Sequence, residues 1–314
     1  MKLIIQIPCL NEAETLGIAL KALPREVPGF DSVEWLVIDD GSTDGTAEVA
    51  RALGADHVVR HTRNRGLARA FMTGIDACLK LGADVIVNTD ADNQYNADDI
   101  PKLVGPVAAG EADIVVGARP IEAMTQFSPT KKILQRLGSW VVRITSKTDI
   151  ADAPSGFRAL SRAAAQRMVV FSEYSYTLET IIQAGQSNMA IISVPVGVNA
   201  ELRKSRLVRS IPAYIRHSVL TIVRIFVIYR PMKFFGALAA VLFGAGFLIG
   251  LRFVWFYVNG EGGGHVQSLI LAGALLSMGF QTFLVAFLAD LLAANRKLLE
   301  EIRLRQVTRE TGDE

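Results

Sequence analysis

Two apolar runs restrict this chain more than any other feature of its sequence. Phe234–Val258 holds 25 residues broken by a single charge, Arg252, and Val266–Ala289 holds 24 with none. At 1.5 Å of rise per residue, each is long enough to cross a hydrocarbon layer about 30 Å thick. They predict a transmembrane hairpin over 233–295. The linker between them, Asn259–His265, contains no Lys or Arg, whereas both outer flanks are basic, with Arg296, Lys297, Arg303, Arg305 and Arg309 on the far side. Because basic flanks stay in the cytoplasm, both ends of the chain are expected there, with a charged tail over 296–314. Gly246 and Gly250 form a small-xxx-small pair that permits close helix packing within one chain or between copies, as in a homo-oligomer.

The flank before the hairpin has its own pattern. Over 201–232, with Lys233 just beyond, Arg203, Lys204, Arg206, Arg209, Arg216, Arg224 and Arg230 stand against one acid, Glu201. At 100° per residue Arg209, Arg216, His217 and Arg224 share an arc of roughly 100°, with apolar residues filling much of the rest. Such a stretch predicts amphipathic helices lying on an anionic bilayer surface.

Residues 1–200 read differently. Leu3–Ile7, Trp35–Ile38, Val85–Val87 and Ile114–Val116 are apolar runs of strand length, separated by helical patterns such as Gly66–Leu81. Alternation of this kind predicts an α/β domain with a mostly parallel, Rossmann-like sheet covered on both faces. The net charge of +2 argues against a surface built for nucleic acid. Cys9 and Cys78 fit neither a disulfide framework nor a zinc site and are expected to be free thiols. The start, Met1–Ile7, is too short for a secretory leader and reads as the first strand.

In parallel sheets, ligands collect beyond the carboxyl ends of the strands. Three polar loops fall there: Pro8–Glu12, Asp39–Thr46 and Asp90–Gln94. In the third, Asp90 and Asp92 sit one residue apart at the end of an apolar strand. Like charges held that close disfavour each other's ionisation unless a cation or many donors are present, so the pair predicts a divalent metal.

These three loops, P-x-x-N-E, D-D-G-S-T-D-G-T and D-A-D, resemble the signatures of family 2 glycosyltransferases with the GT-A fold. With the basic stretch and paired C-terminal spans, the resemblance extends to the dolichyl- and polyprenyl-phosphate hexose synthases along nearly the whole chain. It implies an inverting, metal-dependent transferase that moves a hexose from a nucleotide sugar, of GDP-mannose or UDP-glucose type, to polyprenyl phosphate at the cytoplasmic face. A membrane transferase acting on a lipid-linked saccharide hydroxyl, or a silent sugar-nucleotide-binding subunit, are the competing functions.

The resemblance also implies roles. Asp90, Asp92 and the Gln94 amide oxygen would hold Mg²⁺ or Mn²⁺, with Ala91 between them in the donor site. Pro8, Leu10 and Glu12 would line the nucleotide pocket while Asn11 braces the loop. Asp40, or second Asp39, would accept from base or ribose. Arg119 would meet a phosphate or the sugar. Arg203, Ser205 and Arg206 would bind phosphates, although relatives place a Ser-Lys pair further from the arginine and here Arg206 replaces the lysine. Phosphate is already an anion and needs no base, so Glu179 would orient loops or sugar hydroxyls. Gly156-Phe157-Arg158 would line the acceptor site. His57, His61, His217 and His265 lack ligand spacing.

Overall fold

The computed structural model describes residues 1–120, 139–140, 142–143, 146, 148–170, 176–199, 220, 223–224 and 227–312. They fall into two compact units, Met1–Ser218 with Glu300–Glu314, and Val219–Leu299.

The first unit is built on β1 (Lys2–Cys9), β2 (Ser32–Asp39), β3 (His57–Arg60), β4 (Val85–Asn88), β5 (Ile114–Ala118), β6 (Arg158–Ser161) and β7 (Ile191–Pro195). They form one sheet in the order β3-β2-β1-β4-β6-β5-β7. All ladders are parallel except the two that β6 makes, with β4 and with β5. The mostly parallel α/β sheet read from the sequence is therefore present, with one reversed strand near its middle. That reversal matters for function: the loop preceding β6 lies at the same edge as the carboxyl ends of the parallel strands, because Arg158 pairs with Asn88.

The four apolar runs become β1, β2, β4 and β5, whose side chains are almost all buried. Continuous burial on both faces explains why they do not alternate polar and apolar. Helices α1 (Leu16–Ala22), α2 (Thr46–Ala52), α3 (Leu67–Lys80) and α4 (Ile100–Ala108) follow the first strands in turn. Helix α3 lays Phe71, Met72, Ile75 and Leu79 on the sheet and turns Arg69, Thr73, Asp76 and Lys80 away. It approaches so closely at Gly74 that a Cβ there would run into Gln6 Oε1 and lie 2.8 Å from Ile38 Cδ1. Short helices α5 (Arg162–Arg167) and α6 (Thr177–Gln186) complete the layers. Both cysteines are buried and free.

The second unit holds α7 (Pro231–Val258) and most of α8 (Val266–Thr311), each long and apolar enough to cross a membrane. Only 11% and 17% of their most apolar windows are buried, which marks both as candidate membrane spans. The two helices touch where small residues face backbone: a Cβ on Gly246 would lie 2.9 Å from Leu276 N, and one on Gly279 would lie 2.8 Å from Phe243 N. Gly250 is looser, at 3.8 Å from Ala272 Cβ.

The charged residues after 295 are helical as far as Thr311. Helix α8 runs on through them for 46 residues in all, since Arg, Lys and Glu are good helix formers. Its last turns, from Glu300, belong to the first unit. There Arg303 Nη2 reaches Asp76 Oδ1 at 3.3 Å, Arg303 Nη1 donates to Met168 O at 3.2 Å, and Gln166 Nε2 donates to Thr311 Oγ1 at 3.2 Å.

Candidate active site

The first two motif loops are fastened to each other. Asn11 takes a left-handed conformation, φ 54°, which Asn tolerates better than most residues. Its Oδ1 accepts from Thr43 N at 2.9 Å while its own N–H donates to Ser42 Oγ, also at 2.9 Å. Ala13 N donates to Asp44 Oδ2 and Glu12 N to Thr46 Oγ1, each at 3.0 Å. Glu12 is buried and accepts from Thr15 Oγ1 at 2.6 Å. Pro8 is buried in β1 opposite Ile38, and Leu10 is half-buried just beyond.

The two aspartates of D-D-G-S differ in their surroundings. Both oxygens of Asp40 are engaged: Oδ1 with His61 Nδ1 at 2.6 Å and Arg65 N at 2.9 Å, Oδ2 with Gly66 N at 2.8 Å. His61 is buried, and its other ring nitrogen lies 3.0 Å from Thr73 Oγ1. Asp39 accepts from Ser42 N through Oδ1 at 2.8 Å, while among the described residues its Oδ2 receives no hydrogen bond and has Arg60 Nε at 3.2 Å as an ion-pair partner. Gly41, at φ 78°, lets the backbone of Arg63 approach within 2.5 Å of where a Cβ would stand.

The third loop leaves β4 at Asn88 and carries Asp90, buried Ala91, Asp92 and Gln94. Asp92 Oδ1 accepts from Gln94 N at 3.1 Å, and Gln94 O accepts from Asn199 N at 2.8 Å. Asp90 receives no hydrogen bond from any described residue. Burial and the Asp92 carboxylate push its pKa up to about 7, against the pull of Arg119 and Arg158. Asp90 and Asp92 carry the carboxylate oxygens that Mg²⁺ and Mn²⁺ prefer, and the Gln94 amide on the same loop is a further oxygen donor. The residues present fit such an ion.

Around this pair stands a layer of side chains that the motifs did not reveal. Asn88 Nδ2 donates to Gly156 O and to Tyr176 Oη, both at 2.8 Å, and its Oδ1 accepts from Gln6 Nε2 at 2.9 Å. Gly156 N donates to Tyr95 Oη at 3.0 Å, and a Cβ on Gly156 would sit 3.2 Å from each Asp90 oxygen. Arg119 is not free at the rim: its Nε and Nη2 form a two-pronged pair with buried Asp152 at 2.7 and 3.1 Å. Its Cζ lies 5.9 Å from the Tyr95 ring. Arg158, of the G-F-R motif, is buried and lines no open surface. Glu179 is buried in the first turn of α6. Arg203, Ser205 and Arg206 lie outside the described residues, as does most of the 201–232 stretch. An Asn ending the apolar run Val85–Val87 was the one sequence signal for the hidden layer.

Residues 4–169 match the model of the family described as Glycosyl transferase family 2. The chain belongs to that family. It is 30% identical over 218 residues to the undecaprenyl-phosphate mannosyltransferase of Micrococcus luteus, covering 66% of this chain and 88% of that one. It is 28% identical over 272 residues to the dolichol-phosphate mannosyltransferase of Pyrococcus furiosus, covering 82% and 73% respectively. In fold it is similar to glucosyl-3-phosphoglycerate synthase from Mycobacterium tuberculosis, solved with Mn²⁺, UDP and glucosyl-3-phosphoglycerate, with a TM-score of 0.56 and 21% identity over 72% of this chain and 78% of that one. This family 2 chain thus joins a GT-A-like α/β domain to two candidate membrane helices.

Proposed function

We propose that the chain is a polyprenyl-phosphate hexosyltransferase, taking a hexose from a nucleoside diphosphate sugar and placing it on a lipid phosphate at the cytoplasmic membrane face. The observation that carries this reading is the Asp90–Asp92 pair, with Asp90 lacking any donor among the described residues. Asp90 is half-buried, and leaving such a carboxylate without a hydrogen bond next to a second one is costly, so the pair is suited to a cation. Asp92, Asp90 and the Gln94 amide oxygen would hold Mg²⁺ or Mn²⁺, which when bound supplies Lewis-acid neutralisation of the leaving diphosphate. The Mn²⁺ and UDP named with the mycobacterial synthase support this choice.

The acceptor assignment draws on the printed names of the undecaprenyl- and dolichol-phosphate relatives, which also make mannose the first donor to test. A lipid phosphate attacks as an anion already formed, so the protein has to orient it and stabilise what leaves. Glu179, buried at the start of α6, orients its surroundings under this reading. Arg203 and Arg206 bind phosphate. Attack opposite the nucleotide inverts the anomeric centre. The base and ribose contact falls to Asp39 rather than Asp40, because Asp39 keeps acceptor capacity while both oxygens of Asp40 are committed to the protein.

The test is transfer of labelled sugar into extractable lipid by the full chain in nanodiscs, with GDP-mannose, UDP-glucose or UDP-N-acetylhexosamine, a short polyprenyl phosphate and Mn²⁺. Label in the lipid phase that disappears with chelator is the expected result. Transfer that survives metal removal, or that reaches only a saccharide hydroxyl, would overturn the reading.

A further inference from the structure

The segment Asp152–Phe157, which borders Asp90, is gripped from behind by a side chain that lies out of reach of any substrate. Arg158 is 1% exposed. Its Nε donates to Ser155 O and its Nη2 to Ala153 O, both at 2.8 Å, and its Nη1 donates to Thr180 Oγ1. Thr180 is itself anchored in α6, where its hydroxyl donates to Tyr176 O at 2.9 Å. So one planar guanidinium ties two carbonyls of the loop to a helix behind it.

A buried guanidinium with carbonyl and hydroxyl partners, and no ion pair among the described residues, is an expensive way to fill a core. An apolar side chain of similar volume would pack there without the desolvation cost. What the grip accomplishes is visible on the loop's other face. Gly156 is stationed between Tyr95 Oη, which accepts from its N–H, and Asn88 Nδ2, which donates to its carbonyl. One of its Cα hydrogens points at Asp90, as the 3.2 Å distances from a Cβ position to both carboxylate oxygens establish. Any outward drift of Ala153 or Ser155 would carry Gly156 with it and change the space that confines Asp90.

We propose that Arg158 is a positioning residue for the transfer reaction: its three-way grip on Ala153, Ser155 and Thr180 sets the Gly156 backbone against Asp90 and so holds the carboxylate pair in its cation-binding arrangement. This rests on the reading of Asp90 and Asp92 as metal ligands. Lysine cannot take over, because its donors radiate from one nitrogen and do not form the rigid fork that spans these acceptors.

The test compares Arg158→Lys and Thr180→Val with wild type in the full chain. It measures Mn²⁺ affinity by electron paramagnetic resonance of free Mn²⁺, kcat and KM for the nucleotide sugar, melting temperature, and amide exchange over residues 153–157. Loss of a group that orients metal ligands weakens metal affinity by about ten- to a hundredfold, and that range is expected for Arg158→Lys, with kcat falling in parallel and amide protection lost. Thr180→Val is expected to shift the same quantities in the same direction by about two- to threefold, since one of three contacts goes. A residue that only fills space would lower the melting temperature while Mn²⁺ affinity, kcat per folded molecule and exchange stayed at wild-type values, and that result overturns the proposal. Should Arg158→Lys fail to fold, Thr180→Val decides alone by the same criteria. Should wild type bind no Mn²⁺, the metal reading falls by itself; exchange over 153–157 then decides, with unchanged protection overturning the positioning role.

Discussion

Ile5 and Ile270 carry the same side chain and end in opposite surroundings, the first fully buried in β1 and the second 68% exposed on α8. Their neighbours differ in the same way. In the sheet unit the strands are four to eight residues long and the apolar runs within them are shorter still; in the helical unit the apolar runs continue for more than twenty residues. A short run can be covered by helices of its own domain, whereas a long one needs another solvent. The polar chemistry divides accordingly, concentrated at one sheet edge of the first unit and nearly absent from the second.

Replacing Asp92 by Asn should break this division most sharply. Transfer should fall about a thousandfold or more, ~4 kcal/mol of barrier, while membrane insertion measured by protease protection stays at wild-type level. Loss of both would mean that chemistry and anchorage are not separable. Next, Ile5→Ala should cost about 3 kcal/mol in thermal unfolding, and Ile270→Ala close to nothing in the same assay. Equal losses would make the hairpin an ordinary core. Within the sheet edge, Asp40→Asn should cost about 2 kcal/mol of stability, because it weakens bonds to His61, Arg65 and Gly66. Asp39→Asn should chiefly weaken donor binding in a titration with the nucleotide sugar, and the reverse pattern would restore Asp40 as the donor contact. Smallest, Gly279→Leu should push the helices apart at Phe243 at a cost of about 1–2 kcal/mol in hairpin unfolding, with turnover within about twofold of wild type.

Much of this was legible in sequence for a physical reason: buried parallel strands and membrane spans are both written as uninterrupted apolar residues. Two of the remaining strands carry no such run because their burial is partial. The edge strand His57–Arg60 is half-exposed, and Ile191–Pro195 has intermediate burial with an exposed end. The reversed strand Arg158–Ser161 begins with a charge that reads as a surface residue. In the site, the loop residues that carry the motifs were visible because glycines and carboxylates cluster locally. The side chains behind them, Asn88, Tyr95, Asp152 and Tyr176, work through contacts spanning 20 to 88 residues of sequence, which no local pattern encodes. Arg158 shows the limit best: its motif stands in the sequence, yet only the packing reveals that it faces inward.

The interlocked loops after β1 and β2 have a consequence for how such a chain can vary. Each supplies side chains that cap the other's backbone, as Asn11 does for Thr43 and Asp44 for Ala13. They behave like the two rows of a zip: a tooth can be exchanged for one of the same shape, but adding or removing one in either row throws the other out of step. Length, more than residue identity, is therefore what the pair holds fixed, and a graft that respects both lengths together should transplant the cleft intact.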